Sequence, residues 1–180
     1  MRDLMRKASA IATASAGVML IAVSAASQAY AQDDESHGQP ISSPSPIYGV
    51  TIPAGYRKWE LVAPAEEAPP LDELRVTLGN PDAIKAIENH TLPFPDGTIL
   101  VKLAYKRRQS DEFAPATVPG QATTVQVMVK DSKKYAATGG WGFGRFINGV
   151  PVDEAQHQTC FACHATRVKN HDYVFTRFAP

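Results

Sequence analysis

The run Cys160-Phe161-Ala162-Cys163-His164 constrains this chain more than any other feature in it. Its two cysteines are the only ones, and residues 165–180 alone follow the histidine. C-x-x-C-H is the attachment motif of c-type haem. Two thiols at this spacing can bond the two vinyl groups, and the next residue then lies under the iron as an axial ligand. A haem held here needs a pocket built by the elements that precede the motif. Two other readings stay open. Cys160 and Cys163 could form a redox disulfide, although the βαβ setting of a thioredoxin-like site is absent. A zinc site needs four ligands, and only His37, His90, His157 and His171 remain to complete one.

The N-terminus sets the expected compartment. Arg2, Arg6 and Lys7 precede an uncharged run over residues 8–26, and Ala29-Tyr30-Ala31 has the small-x-small form of a cleavage site. This predicts a signal peptide over residues 1–31 and a periplasmic protein. The alternative, an uncleaved anchor, needs about 20 strongly apolar residues, and this run is rich in Ala and Ser. The full chain has 18 basic and 18 acidic residues. Removing residues 1–31 leaves a slight acidic excess, which does not suit nucleic acid or an anionic membrane surface.

Residues 32–54 carry Pro, Ser and Gly and read as a flexible arm that joins the fold near Tyr48. Residues 55–180 read as one domain. Residues 56–63 begin the ordered part, 64–73 read as a loop, and 74–78 as a strand. Residues 80–90 predict a short helix capped by Asn80, with Pro81 in its first turn. Pro95-Asp96-Gly97 marks a turn before a strand from Thr98 to Tyr105. Val125, Val127 and Val129 alternate in a second strand over 119–131. Residues 131–138 read as a helix opened by Asp131. Residues 139–150 mix glycine with aromatics, as in a strand or bulged loop packed against something flat. The pattern predicts an α+β fold, mainly antiparallel β-sheet with short helices and the haem motif near the C-terminus.

The late motif also bears on the iron's second ligand. An electron-carrying cytochrome c places its motif early and brings a distant Met back to the iron. Here the only methionine after residue 31 is Met128, opposite the valine face. With His90, His157 and His171 as the other candidates, an open sixth position is the expectation. Four-helix cytochromes c′ share the late motif, but the period-2 alternation and the prolines upstream exclude their helical bundle.

Lys102 sits inside Thr98-Ile99-Leu100-Val101-Lys102-Leu103-Ala104-Tyr105, where both faces read as buried. A buried ammonium is costly unless paired or neutralised. The alternative is an edge strand with Lys102 reaching out to water.

"FPDGTILVKLAYKR", "VQVMVKDSKKYAATGGWGFGRF", "CFACH" and "YVFTRFAP", in this order, resemble the cytochrome P-460 family over roughly residues 55–180. The resemblance implies a periplasmic cytochrome with one covalently bound haem c on a mainly antiparallel sheet. Cys160 and Cys163 would hold the haem and His164 would bind the iron. Lys102 matches the lysine that bonds the porphyrin edge in hydroxylamine-oxidising members. Arg75 would place a donor in the distal pocket, and Arg177 would pair with a propionate. Phe143 and Trp141 would either shield the haem or serve as plain core. Gln126 stands where hydroxylamine-oxidising relatives carry a carboxylate, and an amide cannot accept the substrate's protons. The implied activity is oxidation of hydroxylamine to nitric or nitrous oxide at an open iron, with electrons passed to a separate cytochrome. The alternatives are a nitric-oxide carrier or scavenger without turnover, and a simple electron carrier. The resemblance also implies a homodimer.

Overall fold

The alternating valines form the centre of a single sheet. A computed structural model describes residues 42–179. Its strands are β1 (Glu60–Glu67), β2 (Glu73–Gly79), β3 (Ile99–Gln109), β4 (Thr117–Lys130), β5 (Trp141–Ile147) and β6 (Val150–Pro151). They lie in chain order, β1-β2-β3-β4-β5-β6, and each pairs antiparallel with the next. Two α-helices complete the α+β architecture: α1 (Pro81–Glu88) between β2 and β3, and α2 (Glu154–Val168) after β6. The leader expected at 1–31, and the arm up to residue 41, lie outside the described residues.

One face of the sheet is closed. Val101 pairs with Val127, and Val127 with Gly144, so these positions share a face. Val101, Val127 and Phe146 are fully buried there. The segment from Tyr48 to Tyr56 and the ring of Tyr135 cover this face. Tyr135 donates its hydroxyl to the Tyr48 carbonyl at 3.0 Å. A Cβ at Gly142 would fall 2.3 Å from the Tyr135 ring, so glycine is what lets the flat ring lie on β5. The opposite face carries polar residues, and the C-terminal tail crosses it. Thr176 Oγ1 lies 3.3 Å from Thr77 Oγ1, and Ala179 N donates to Val62 O at 2.9 Å.

Three local expectations change. Residues 64–67 extend β1 instead of forming a loop. Pro64 is tolerated because β1 is an edge strand and needs no second ladder. Residues 131–138 are turns and one 3₁₀ turn (Ala136–Thr138) rather than an α-helix. Asp131 Oδ1 accepts from the amides of Lys133 and Lys134, and Gly139 and Gly140 then take positive φ, which ends the segment after one turn. From Ser42 on, the arm is packed, with Ser45, Tyr48, Val50 and Ile52 buried. Ser45 Oγ fixes it by donating to Phe143 O on β5 and accepting from Val50 N.

Asn80 caps α1 as its sequence predicts, and does more. Its Oδ1 accepts from Ala83 N at 3.0 Å and from Ile99 N at 2.9 Å, while Nδ2 donates to Gly97 O at 2.8 Å. One side chain thus ties β2, α1 and β3 together. Asn80→Ala removes all three bonds at a buried position and is expected to destabilise the fold by about 2–3 kcal/mol. Urea unfolding checks this; a loss of only a few tenths would mean that solvent replaces the amide.

Candidate functional site

Cross-strand pairing places four polar side chains in one row. Thr77 on β2 pairs with Lys102 on β3, Lys102 with Gln126 on β4, and Gln126 with Arg145 on β5. The row lies opposite the closed valine face. Arg75, two residues from Thr77, shares this face and donates to Glu67 of β1. Gln126 Nε2 donates to Thr124 Oγ1 at 3.1 Å. Arg75, Lys102 and Gln126 are therefore neighbours on one surface.

Lys102 is not on an edge. β2 and β4 flank its strand, so a snorkelling route along the sheet margin does not exist. Its ammonium has no ion-pair partner among the described residues. Burial pushes the amine below its ordinary 10.5; Glu67 and Glu73 oppose the shift, and Arg75 and Arg145 add to it.

Helix α2 brings the C-x-x-C-H motif to the same face. Asp153 caps it by accepting from Gln156 N at 2.9 Å. His157 is fully buried and rivets the helix to β5. Its Nδ1 donates to Asp153 O at 2.9 Å, and its Nε2 accepts from Arg145 N at 3.1 Å. Both ring nitrogens are engaged, so His157 is not free to bind iron. His171 turns Nδ1 to Val174 O, and His90 is exposed.

Cys160, Cys163 and His164 follow at helical spacing on one side of α2. Both thiols are free. They lie in the helix interior, away from the N-terminus that activates thiols, and burial pushes Cys160 above its ordinary 9.0. Cys160 therefore lacks the lowered pKa of an activated thiol. Among the described residues no group of three or more His, Cys, Asp or Glu could hold a metal ion.

His164 is prepared as a ligand. Its Nδ1 lies 2.7 Å from the Tyr173 carbonyl. A carbonyl only accepts, so Nδ1 carries the hydrogen and Nε2 keeps its lone pair for a metal. Phe143 and Phe175 flank the ring at 5.0 and 4.9 Å between centroids. Burial pushes the imidazole below its ordinary 6.5; the Tyr173 carbonyl opposes this and the Lys102 charge adds to it. The ring is thus neutral at neutral pH, and His164 and Lys102 share one poorly solvated space. Two buried atoms near that space are orphans: Arg145 Nε and Glu67 Oε2 have no hydrogen-bond partner. A buried N–H without an acceptor costs about 1–3 kcal/mol, so the site suits an added anion.

Over residues 53–176 the chain matches the family model for cytochrome P460. The chain belongs to the cytochrome P460 family. No curated protein matches it. A cytochrome is a haem protein, and the residues on this face fit that group. They offer a neutral histidine with a free Nε2, two free thiols beside it, aromatic walls and an orphaned guanidinium N–H suited to a propionate.

The other candidates take plainer places in this P460 domain. Arg177 is exposed and donates through Nη1 to the carbonyls of Val174 and Phe175, which braces the tail. Trp141 packs as core against Phe94, whereas Phe143 touches the site. Arg145 and Glu67 escaped the sequence reading. Continuing the alternation from Phe143 would have found Arg145, but Glu67 was read inside a loop. The Tyr173 carbonyl is backbone and has no sequence signal.

Lys102 generates a pH-dependent expectation. Its folded pKa is depressed, so in the window just below 10.5 the unfolded chain binds more protons than the folded one. Stability therefore rises with pH through that window. In the haem-free protein, Lys102→Met is expected to be more stable than wild type at pH 7, with an advantage that shrinks as pH approaches 10.5. Urea unfolding of both proteins across that range checks this; a constant gap would place the Lys102 amine in water.

Proposed function

We propose that this chain is a periplasmic c-type cytochrome that oxidises hydroxylamine towards nitric or nitrous oxide. Cys160 and Cys163 would hold one haem through thioether bonds, and His164 would bind its iron through Nε2. When bound, the haem would bind the nitrogen compound and accept its electrons. The observation that carries the reading is Lys102: an unpaired amine on a central strand, in the row that faces the motif. A bond from its Nζ to the porphyrin edge would remove a buried charge and explain its position.

Oxidation of hydroxylamine to nitric oxide releases three electrons and three protons. The electrons pass to a second cytochrome. Gln126 cannot take the protons. Glu67, held by Arg75 through one oxygen and with the other buried and unpaired, is a carboxylate this face offers instead. Arg75 thus orients Glu67, Gln126 and Thr77 supply neutral polarity, and Phe143, Phe161 and Phe175 line the motif side. The amide at Gln126 favours one second reading, a nitric-oxide carrier without turnover.

The two readings separate in the matured protein. Covalent attachment by Lys102 is expected to lower the intact mass of the haem protein by two hydrogens and to move the ferrous Soret band far to the red. Lys102→Ala is expected to abolish both effects and to slow hydroxylamine oxidation by about 100-fold or more. An ordinary five-coordinate haem c spectrum in both proteins, with nitric oxide binding and no turnover, would leave the carrier.

A further inference from the structure

One buried ion pair lies outside the row of polar side chains around Lys102. The side chain of Lys130, the last residue of β4, is 5% exposed, and that of Asp172 is 9% exposed. Lys130 Nζ donates to both carboxylate oxygens of Asp172, at 2.9 and 2.8 Å, and to Gly139 O at 3.0 Å. Asp172 Oδ2 also accepts from Phe94 N at 2.9 Å. A pair this buried and this fully bonded holds its backbone in place; removing one partner strands the other charge.

The backbone it holds is unusual. Asp172 and Tyr173 both adopt positive φ, 47° and 64°. Each such residue without glycine's freedom costs roughly 1–2 kcal/mol, so the turn persists only where its surroundings enforce it. Asp172 is gripped from one side by Lys130. The Tyr173 ring lies on Gly139, where a Cβ would stand 2.2 Å from it. Lys130 binds the carbonyl of that same glycine. This turn presents the Tyr173 carbonyl to His164 Nδ1 at 2.7 Å.

We propose that the Lys130–Asp172 ion pair is the positioning device for the haem's proximal histidine. By enforcing the left-handed turn at 172–173, it holds the Tyr173 carbonyl against His164 Nδ1. That strong hydrogen bond makes the imidazole a better electron donor and favours the ferric state. The inference rests on haem ligation by His164 and not on which nitrogen compound the protein binds. Lys130 and Asp172 are positioning residues; neither touches the reacting atoms.

The test uses the matured haem protein and reads the haem midpoint potential and the ferrous Fe–His stretching frequency by resonance Raman. Asp172→Asn keeps the shape of the side chain and an acceptor for Phe94 N but removes the charge. It is expected to raise the potential, lowering the ferric-to-ferrous ratio at the wild-type midpoint about tenfold, and to lower the Fe–His frequency. Lys130→Arg, which keeps the charge, is expected to stay near wild type. Asp96→Asn removes the charge of a carboxylate bound to Ser132 in the same region and is expected to move neither readout. Should Asp172→Asn fail to fold, the double variant Lys130→Met/Asp172→Leu leaves no lone charge and carries the same expectation. An unchanged potential and frequency in whichever of Asp172→Asn and the double variant folds overturns the proposal. A wild type that takes up no haem overturns both the clamp and the haem attachment, whereas loss of hydroxylamine turnover alone affects neither readout.

Discussion

An antiparallel ladder gives each strand only two directions for its side chains, and in this chain the two directions have different tasks. On β3, Val101 and Leu103 point to the closed face, while Lys102 and Ala104 point to the other. β4 repeats the division with Val127 against Gln126, and β5 with Gly144 against Arg145. A slip of one residue between β3 and β4 would put Lys102 and Val127 on the same face, either turning the lysine into the valine layer or exposing the valine. The packing that stabilises one face therefore fixes the polar row on the other. The site needs no separate means of ordering its strands.

The motif reaches that row through two anchors at the ends of its own segment. His157 joins the start of α2 to β5 and uses both ring nitrogens to do so. Beyond the helix, the tail is tied back across the sheet by Thr176 and Ala179. His164 lies between these anchors, with Phe143 from the sheet on one side and Phe175 from the tail on the other. Its tautomer depends on a carbonyl nine residues away, and that carbonyl depends on a turn held by the far end of β4. The strand that carries Gln126 also reaches that turn, through Lys130 and Asp172.

Much of this was legible because local rules and tertiary packing agree. The alternation of Val125, Val127 and Val129 marked β4, and Asn80-Pro81 marked the start of α1. Where the sequence misled, the missing information was long-range. Pro64 reads as a loop signal, and only its edge position makes it compatible with β1. Ser45 sits in a stretch that reads as disordered, and its bond to Phe143 lies 98 residues away in sequence. Lys102 could be an edge lysine or a buried one by pattern alone, and the strands on both sides of β3 decided between them.

The sequence by itself determined the fold class, the strands that carry the site and the cysteine-histidine motif that faces them, because motif spacing and period-2 alternation are local properties of the chain. The tertiary structure decided which side chains meet. It put Arg75, Lys102, Gln126, Arg145 and Glu67 on one face, occupied His157 as a rivet, and gave His164 its carbonyl partner. Those outcomes depend on register, strand order and backbone acceptors. None of these is written in the identity of a single residue, since each arises only when distant segments close on one another.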